Sequence, residues 1–251
     1  MFLQKNPDFC RKKVFALGRI PPGGLFAEVK FDKMTPKNSL FGYKGQIKME
    51  KNKVFCLGNF QAEPGEKKSG YLFVGNGEFG TACDYFERRK TGENRVDYEA
   101  GVHAAEYVGI QSAMELAEHL HPEKIAGTVV IVKVVNRQAF EMRSGSEGFE
   151  DGVNLNRVFP GKETGSQMER LAYAIEKELF PGVDFYIDLH SGDSYEQLTP
   201  YIYYAGVAEP RVVEAAREMA QQADVPYMVR SCVAGGGCYN YAAQLGIPSV
   251  L

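Results

Sequence analysis

Thr128-Val129-Val130-Ile131-Val132-Lys133-Val134-Val135 is the stretch that decides the fold. A β-branched run of this length, without alternation, is the mark of a strand buried on both faces. Working outward, Glu106–Leu120 places Ile110, Ala113, Met114, Ala117 and Leu120 on one face at helical spacing, and Pro122 stops it. Downstream, Ser166–Phe180 opens as a helix with a capping box formed by Ser166 and Glu169. Phe185–Leu189 is a second buried strand, and Pro210–Ala223 is a helix whose first residue lacks an N–H where none is needed. Tyr227–Arg230 reads as a strand, Tyr239–Gln244 as a short helix capped by Gly246, and Pro248–Leu251 as the start of another strand. Strands alternating with helices predict an α/β fold, a mostly parallel or mixed sheet flanked by helices.

The N-terminal side of Gly101 has a different character. Gly, Lys and Pro are frequent, periodicity is poor, and strand-like runs stand only at Lys53–Leu57 and Tyr71–Val74. The division this suggests is an irregular or β-rich region over 1–100 and an α/β domain over 101–251. A metal or ligand loop at Gly101 must hang from a buried strand, yet Gly80–Glu99 is polar and carries Arg88, Arg89 and Lys90. The strand before Gly101 is therefore expected to be poorly specified. Suitable codons for this stretch encode, in a second frame, a Pro-Gly turn and a Val-Leu-Ile-Thr run leading into Ala-Gly-Val-His. Residues 80–99 are accordingly read as frame-shifted, and residues 1–48 as preceding a native start at Met49; sequencing the gene tests both.

The 251 residues are 44% hydrophobic and 24% charged, with net charge −3, which is ordinary globular composition. No basic stripe suggests nucleic acid. No apolar run reaches the ~18 residues a membrane span needs, and the N-terminus shows no signal-peptide core, so a cytoplasmic location is expected. The five cysteines are Cys10, Cys56, Cys83, Cys232 and Cys238. None has zinc-finger spacing; Cys232 and Cys238 are near enough to pair, but free thiols in a reducing compartment are expected.

Gly101-Val102-His103-Ala104-Ala105-Glu106 sets an imidazole and a carboxylate three residues apart at a loop-to-helix junction. Asp188-Leu189-His190-Ser191-Gly192 adds an imidazole just past a strand end, where α/β sheets bind ligands. Two His and one Glu make a three-ligand set that leaves a fourth position for water, the usual form of catalytic zinc. Taken alone, His-x-x-Glu is common by chance, and His190 reads as well as a polar residue satisfied at a strand end. His119 and His121 close a helix, where imidazolium suits the dipole, and are read as structural. The polar loop Asp151–Gly161 is either a solvated turn or a carboxylate clamp, since Arg pairs bidentately with a planar carboxylate and Asn adds a donor.

In this order, Gly-x-His-x-x-Glu, Asn-Arg-x-Phe-Pro-Gly and Asp-Leu-His resemble the succinylglutamate desuccinylase/aspartoacylase branch of the zinc carboxypeptidase superfamily, over about Gly101 to Leu251. The resemblance implies one Zn2+ per chain, held by His103, Glu106 and His190. It implies a substrate carboxylate bound by Asn156 and Arg157, and an oxyanion-stabilising Arg for which Arg143 is the nearest match. Asp188 would support a metal-bound His; Arg230 and Tyr239 either line the pocket or belong to core and surface. The implied reaction is hydrolysis of a small N-acyl amino acid or related amide. The family's general base is a Glu just beyond the strand at Ser249–Leu251, so these 251 residues are expected to bind zinc and hydrolyse poorly. The same ligands would serve a carboxypeptidase acting on peptides, or a metal-binding domain without turnover. Oligomeric state is not legible.

Overall fold

A computed structural model describes residues 15–16, 55–57, 59–62, 66–88, 94–125 and 127–251. The start proposed at Met49, nearly all of residues 1–48, Cys10, and 89–93 of the polar stretch lie outside the described residues. In chain order the elements are β1 (Phe15–Ala16), β2 (Phe55–Leu57), β3 (Phe60–Ala62), β4 (Lys67–Val74), β5 (Phe79–Arg88), β6 (Arg95–Ala100) and α1 (Tyr107–His119). There follow β7 (Gly127–Val132), α2 (Arg137–Glu141), α3 (Gln167–Ala174), β8 (Phe185–Leu189), β9 (Ile202–Tyr204), α4 (Pro210–Gln221), β10 (Tyr227–Arg230), α5 (Cys238–Gln244) and β11 (Ser249–Val250). Nine strands form one mixed sheet in the order β1-β10-β9-β11-β8-β6-β7-β5-β4, and β2 and β3 pair separately. The strands β4, β5 and β6, all N-terminal to Gly101, belong to that same sheet.

The sheet is covered on both faces, as a largely parallel centre requires. On one face Tyr98, Ala100, Val129 and Ile131 pack against Ile110, Ala113 and Ala117 of α1, the helical stripe expected from the sequence. On the same face α4 lays Ala216, Met219 and Ala220 on Tyr204 and Val250. The opposite face buries Val130, Val132 and Tyr186 under Leu171 and Ile175 and under Cys238 and Ala242 of α5. The expected helix Ser166–Phe180 is α3 continued by a π turn over Ile175–Leu179, and Glu169 closes its start by accepting from Ser166 N at 2.9 Å.

The polar stretch before Gly101 corrects the expectation drawn for it. Arg95–Ala100 is a central strand, parallel to β7 on one side and to β8 on the other. Its alternation explains how. Val96, Tyr98 and Ala100 face α1, while Arg95, Asp97 and Glu99 share the other face, and Asp97 and Glu99 are no more than 1% exposed. Arg95 makes the burial tolerable: Nε and Nη2 donate to the two oxygens of Asp97 at 2.8 and 2.5 Å, Nη2 to Leu179 O at 3.1 Å and Nη1 to Pro181 O at 3.2 Å. A bidentate pair with its remaining donors on carbonyls is the form in which a buried charge persists.

β4 is the edge of this sheet. Its outward backbone groups at Tyr71 and Phe73 meet one side chain: Asn59 donates Nδ2 to Tyr71 O at 3.1 Å and accepts from Phe73 N at 2.7 Å.

Candidate metal centre

β6 and β8 are neighbours and parallel, with Ala100 opposite Leu189, so the chain leaves both strands at one edge of the sheet. The first exit carries His103 and Glu106, the second His190. Gly101 turns the first exit with φ +69°, a conformation L side chains avoid. Glu106 then stands at the N-cap position of α1, where the helix end favours a carboxylate. Gly109 brings α1 onto β8: a Cβ there would lie 2.6 Å from Leu189 O, so only glycine allows the helix to approach so closely.

The result is a convergent cluster. Ligand atoms of His103, Glu106 and His190 lie within 4.8 Å of one another. Nδ1 of His103 is 2.7 Å from Glu106 Oε1, and Nδ1 of His190 is 2.7 Å from Oε2. The two rings meet edge-on with centroids 4.9 Å apart. Ser191 N also donates to Glu106 Oε2 at 3.0 Å. Burial disfavours the Glu106 anion, but the two imidazoles and the Ser191 N–H outweigh it and bring the carboxyl down to about 2. Burial likewise opposes charge on His190, yet Asp188 and Glu106 together push it up to about 10. The cluster thus calls for positive charge between imidazole and carboxylate, which a proton or a divalent cation supplies.

The outer nitrogens decide which way the rings are set. Nε2 of His103 lies 3.1 Å from Asn154 Oδ1, and Nε2 of His190 lies 3.0 Å from Asp188 Oδ1. The second approach is close but not well directed, since neither His190 Nε2 nor either Asp188 oxygen has an in-line hydrogen bond. Both Nδ1 atoms face the Glu106 carboxylate, and both Nε2 atoms point away from it towards Asn154 and Asp188. Two imidazoles and one carboxylate converging in this way are a donor set that fits zinc. Asn154 is the residue the sequence reading passed over; it stands two positions before Asn156 in an Asn-rich loop, and that repetition is the only signal.

The remaining expected residues are placed less tightly. Asn156 is buried, and its Oδ1 accepts from Cys238 N at 2.7 Å, tying the loop to the start of α5. Arg157 is exposed and donates Nη1 to Asn156 O at 2.7 Å. Arg143 is exposed, sits at φ 58°, and holds its guanidinium 5.5 Å from the Phe140 ring. Its loop touches the one after His190, through Ser146 Oγ to Asp193 Oδ2 at 3.1 Å. Arg230 donates to Gly206 O, and Tyr239 is buried in the core. Cys83, Cys232 and Cys238 are free thiols. Among the described residues no helix is long and apolar enough to cross a membrane.

A mixed sheet with two imidazoles and a carboxylate gathered at its strand ends defines the zinc carboxypeptidase-like class. Within it, residues 94–251 match the succinylglutamate desuccinylase/aspartoacylase catalytic domain, and the chain belongs to that family. It is 33% identical over 129 residues to N-alpha-acetyl-L-2,4-diaminobutyric acid deacetylase of Halomonas elongata, covering 51% of this chain and 37% of that protein. Among solved structures, an aspartoacylase family protein of Mesorhizobium loti superposes with TM-score 0.65 at 26% identity, over 80% of this chain and 64% of its own. A product-bound ectoine utilization protein of Ruegeria pomeroyi does so with TM-score 0.65 at 23% identity, over 80% and 63%. The chain thus spans little over a third of the curated relative and less than two-thirds of these structures.

Proposed function

We propose that this protein is a zinc-dependent amidohydrolase that releases the acyl group from a small N-acyl amino acid. The observation that carries the reading is the convergence of the two rings, with both Nδ1 atoms 2.7 Å from the Glu106 carboxylate. His103, Glu106 and His190 would hold one zinc ion, which when bound activates water and polarises the scissile carbonyl. Asn156, anchored through Oδ1, keeps its amide donor for the substrate carboxylate, and Arg157 beside it adds charge. Arg143, on the loop against the His190 exit, would move inward to stabilise the oxyanion. Substrates resembling N-acetyl-diaminobutyrate are favoured because the Halomonas elongata relative is named a deacetylase of that compound.

The register of β11 bears on the general base. Val250 stands opposite Ile187 on β8, so residues following Leu251 would come alongside His190. That is where the family resemblance places a Glu. In a chain that carries that Glu, replacing it with Gln should lower turnover by about 100-fold or more, as general bases contribute. The decisive experiment measures metal content of the parent and of His190→Ala, then acetate release from N-acetyl-diaminobutyrate by a chain that runs through that Glu. One zinc per parent chain, lost in His190→Ala, supports the site. Zinc retained by the variant, or none in the parent, overturns it. A protein that trims peptides and ignores acetyl amino acids would move the reading to a carboxypeptidase.

A further inference from the structure

Away from the metal centre, a cleft of about 360 Å³ opens between the turn joining β4 to β5, α2 and the start of α3, and it shares no lining residue with the metal cluster. Sites for small organic molecules begin at about 300 Å³. The floor of the cleft is apolar: Val135 and Leu171 belong to the core, and Phe79 packs against it. Its rim is acidic, with Glu78 from the turn, Glu141 from α2 and Glu150 from the loop before Asp151, all exposed. Arg137, the one cation lining the cleft among the described residues, gives its Nε to Glu141 Oε1 at 2.7 Å. Glu78 is matched by Arg170 at 2.6 Å. Glu150 meets an amide instead and has no ion pair among the described residues, so one negative charge is left over at the rim.

Two glutamines carry the polarity of Glu150 into the wall. A carboxylate only accepts, so Gln138 turns its Nε2 to Glu150 Oε1, at 2.8 Å, and its own Oε1 to the Nε2 of Gln167. This relay sets the Gln167 amide with its oxygen left over. Gln167 lines the cleft, is 7% exposed, and its Oε1 has no hydrogen-bond partner among the described residues. A buried acceptor left in that state is costly, and a ligand N–H removes the cost.

We propose that this cleft binds a small organic ammonium ion with an apolar body, its head held by Glu150 and the Gln167 amide oxygen and its body laid on Phe79, Val135 and Leu171. The choice of ligand follows from what the wall lacks. An ammonium head brings three donors and one positive charge. The donors meet the carboxylate and the orphaned amide oxygen, and the charge matches the one left over at the rim. A neutral alcohol of the same shape supplies one donor and no charge. A carboxylate supplies neither and meets three acidic side chains. The apolar floor asks for hydrocarbon behind the head, so a bare metal ion or ammonium fits it less well than an alkyl or arylalkyl amine.

The test titrates the full chain, methyl-labelled at Val, Leu and Met, with phenethylammonium and follows it by NMR. The methyls of Val135, Met168 and Leu171, which line the cleft, should shift and saturate. Neutral 2-phenylethanol should bind about tenfold more weakly, the worth of one charge-assisted hydrogen bond, and 3-phenylpropionate should give no saturable shift. Glu150→Gln, a change at an exposed residue, should bring the affinity for the amine down to that for the alcohol and leave the alcohol unaffected. Gln167→Leu should weaken the amine about tenfold as well. If Gln167→Leu does not fold, the ranking of the three ligands on the parent and on Glu150→Gln decides alone. Equal affinity for amine and alcohol overturns the proposal, as does an amine affinity that Glu150→Gln leaves intact. Shifts that never saturate overturn it too. Saturable shifts confined to Val102 and Leu189, beside the metal ligands, would put the amine at the metal centre and overturn it in another way. Neither variant alters a metal ligand, so the outcome does not depend on the metal reading.

Discussion

β6 and β7 lie side by side at the centre of the sheet, both buried, and their sequences share almost nothing. β7, Gly-Thr-Val-Val-Ile-Val, is apolar on both faces. β6, Arg-Val-Asp-Tyr-Glu-Ala, is apolar on the α1 face and ionic on the other. The first is held by packing alone, the second by a few directed interactions among charges. Packing tolerates small changes and degrades by degrees. An ionic face depends on every partner staying in place.

The largest break in that comparison is Asp97→Ala. It strands the Arg95 guanidinium, and urea unfolding should show a loss of about 3–5 kcal/mol. Replacing Arg95 and Asp97 together with apolar residues of similar volume should cost little or stabilise by up to about 4 kcal/mol, because the desolvation goes with the charges. Equal losses from the single and double changes would mean that the pair is not the unit that matters. Next comes Gly109→Ala, whose Cβ meets the Leu189 carbonyl at 2.6 Å. Urea unfolding should show a cost of about 1–3 kcal/mol through overpacking, as the helix that carries Glu106 is pushed off β8. On β7, Ile131→Val should cost only about 1 kcal/mol. The smallest effect is expected at the exposed Arg170–Glu78 pair, 2.6 Å apart, where Arg170→Ala should change stability by less than about 1 kcal/mol.

The same comparison explains what the sequence made legible. β7, β8, α1, α3 and α4 follow from hydrophobic spacing and caps, because burying an apolar stripe is what those elements do. β6 does not, because alternating charge ordinarily signals a solvent-facing strand, and only the tertiary placement of the Leu179 and Pro181 carbonyls gives Arg95 a buried home. α2 and β9 are too short to show a period. At the site, His103, Glu106 and His190 were legible because their motifs stand at two strand ends, and the structure gathers them there. Asn154 was not: its place beside the site depends on what lies across the fold, the Nε2 of His103 at 3.1 Å.

The single amide of Asn59 across the backbone of Tyr71 and Phe73 has a consequence for the protein in solution. A bare edge strand invites a second molecule to add its own strand, and β4 turns Tyr71 and Phe73 outward at 56% and 40% exposure. Asn59 occupies one carbonyl and one amide through which a second strand would otherwise pair, and Lys68 adds an exposed charge further along the strand. Losing that side chain would be felt less in the folding equilibrium of one molecule than in how crowded a solution can become before molecules begin to join.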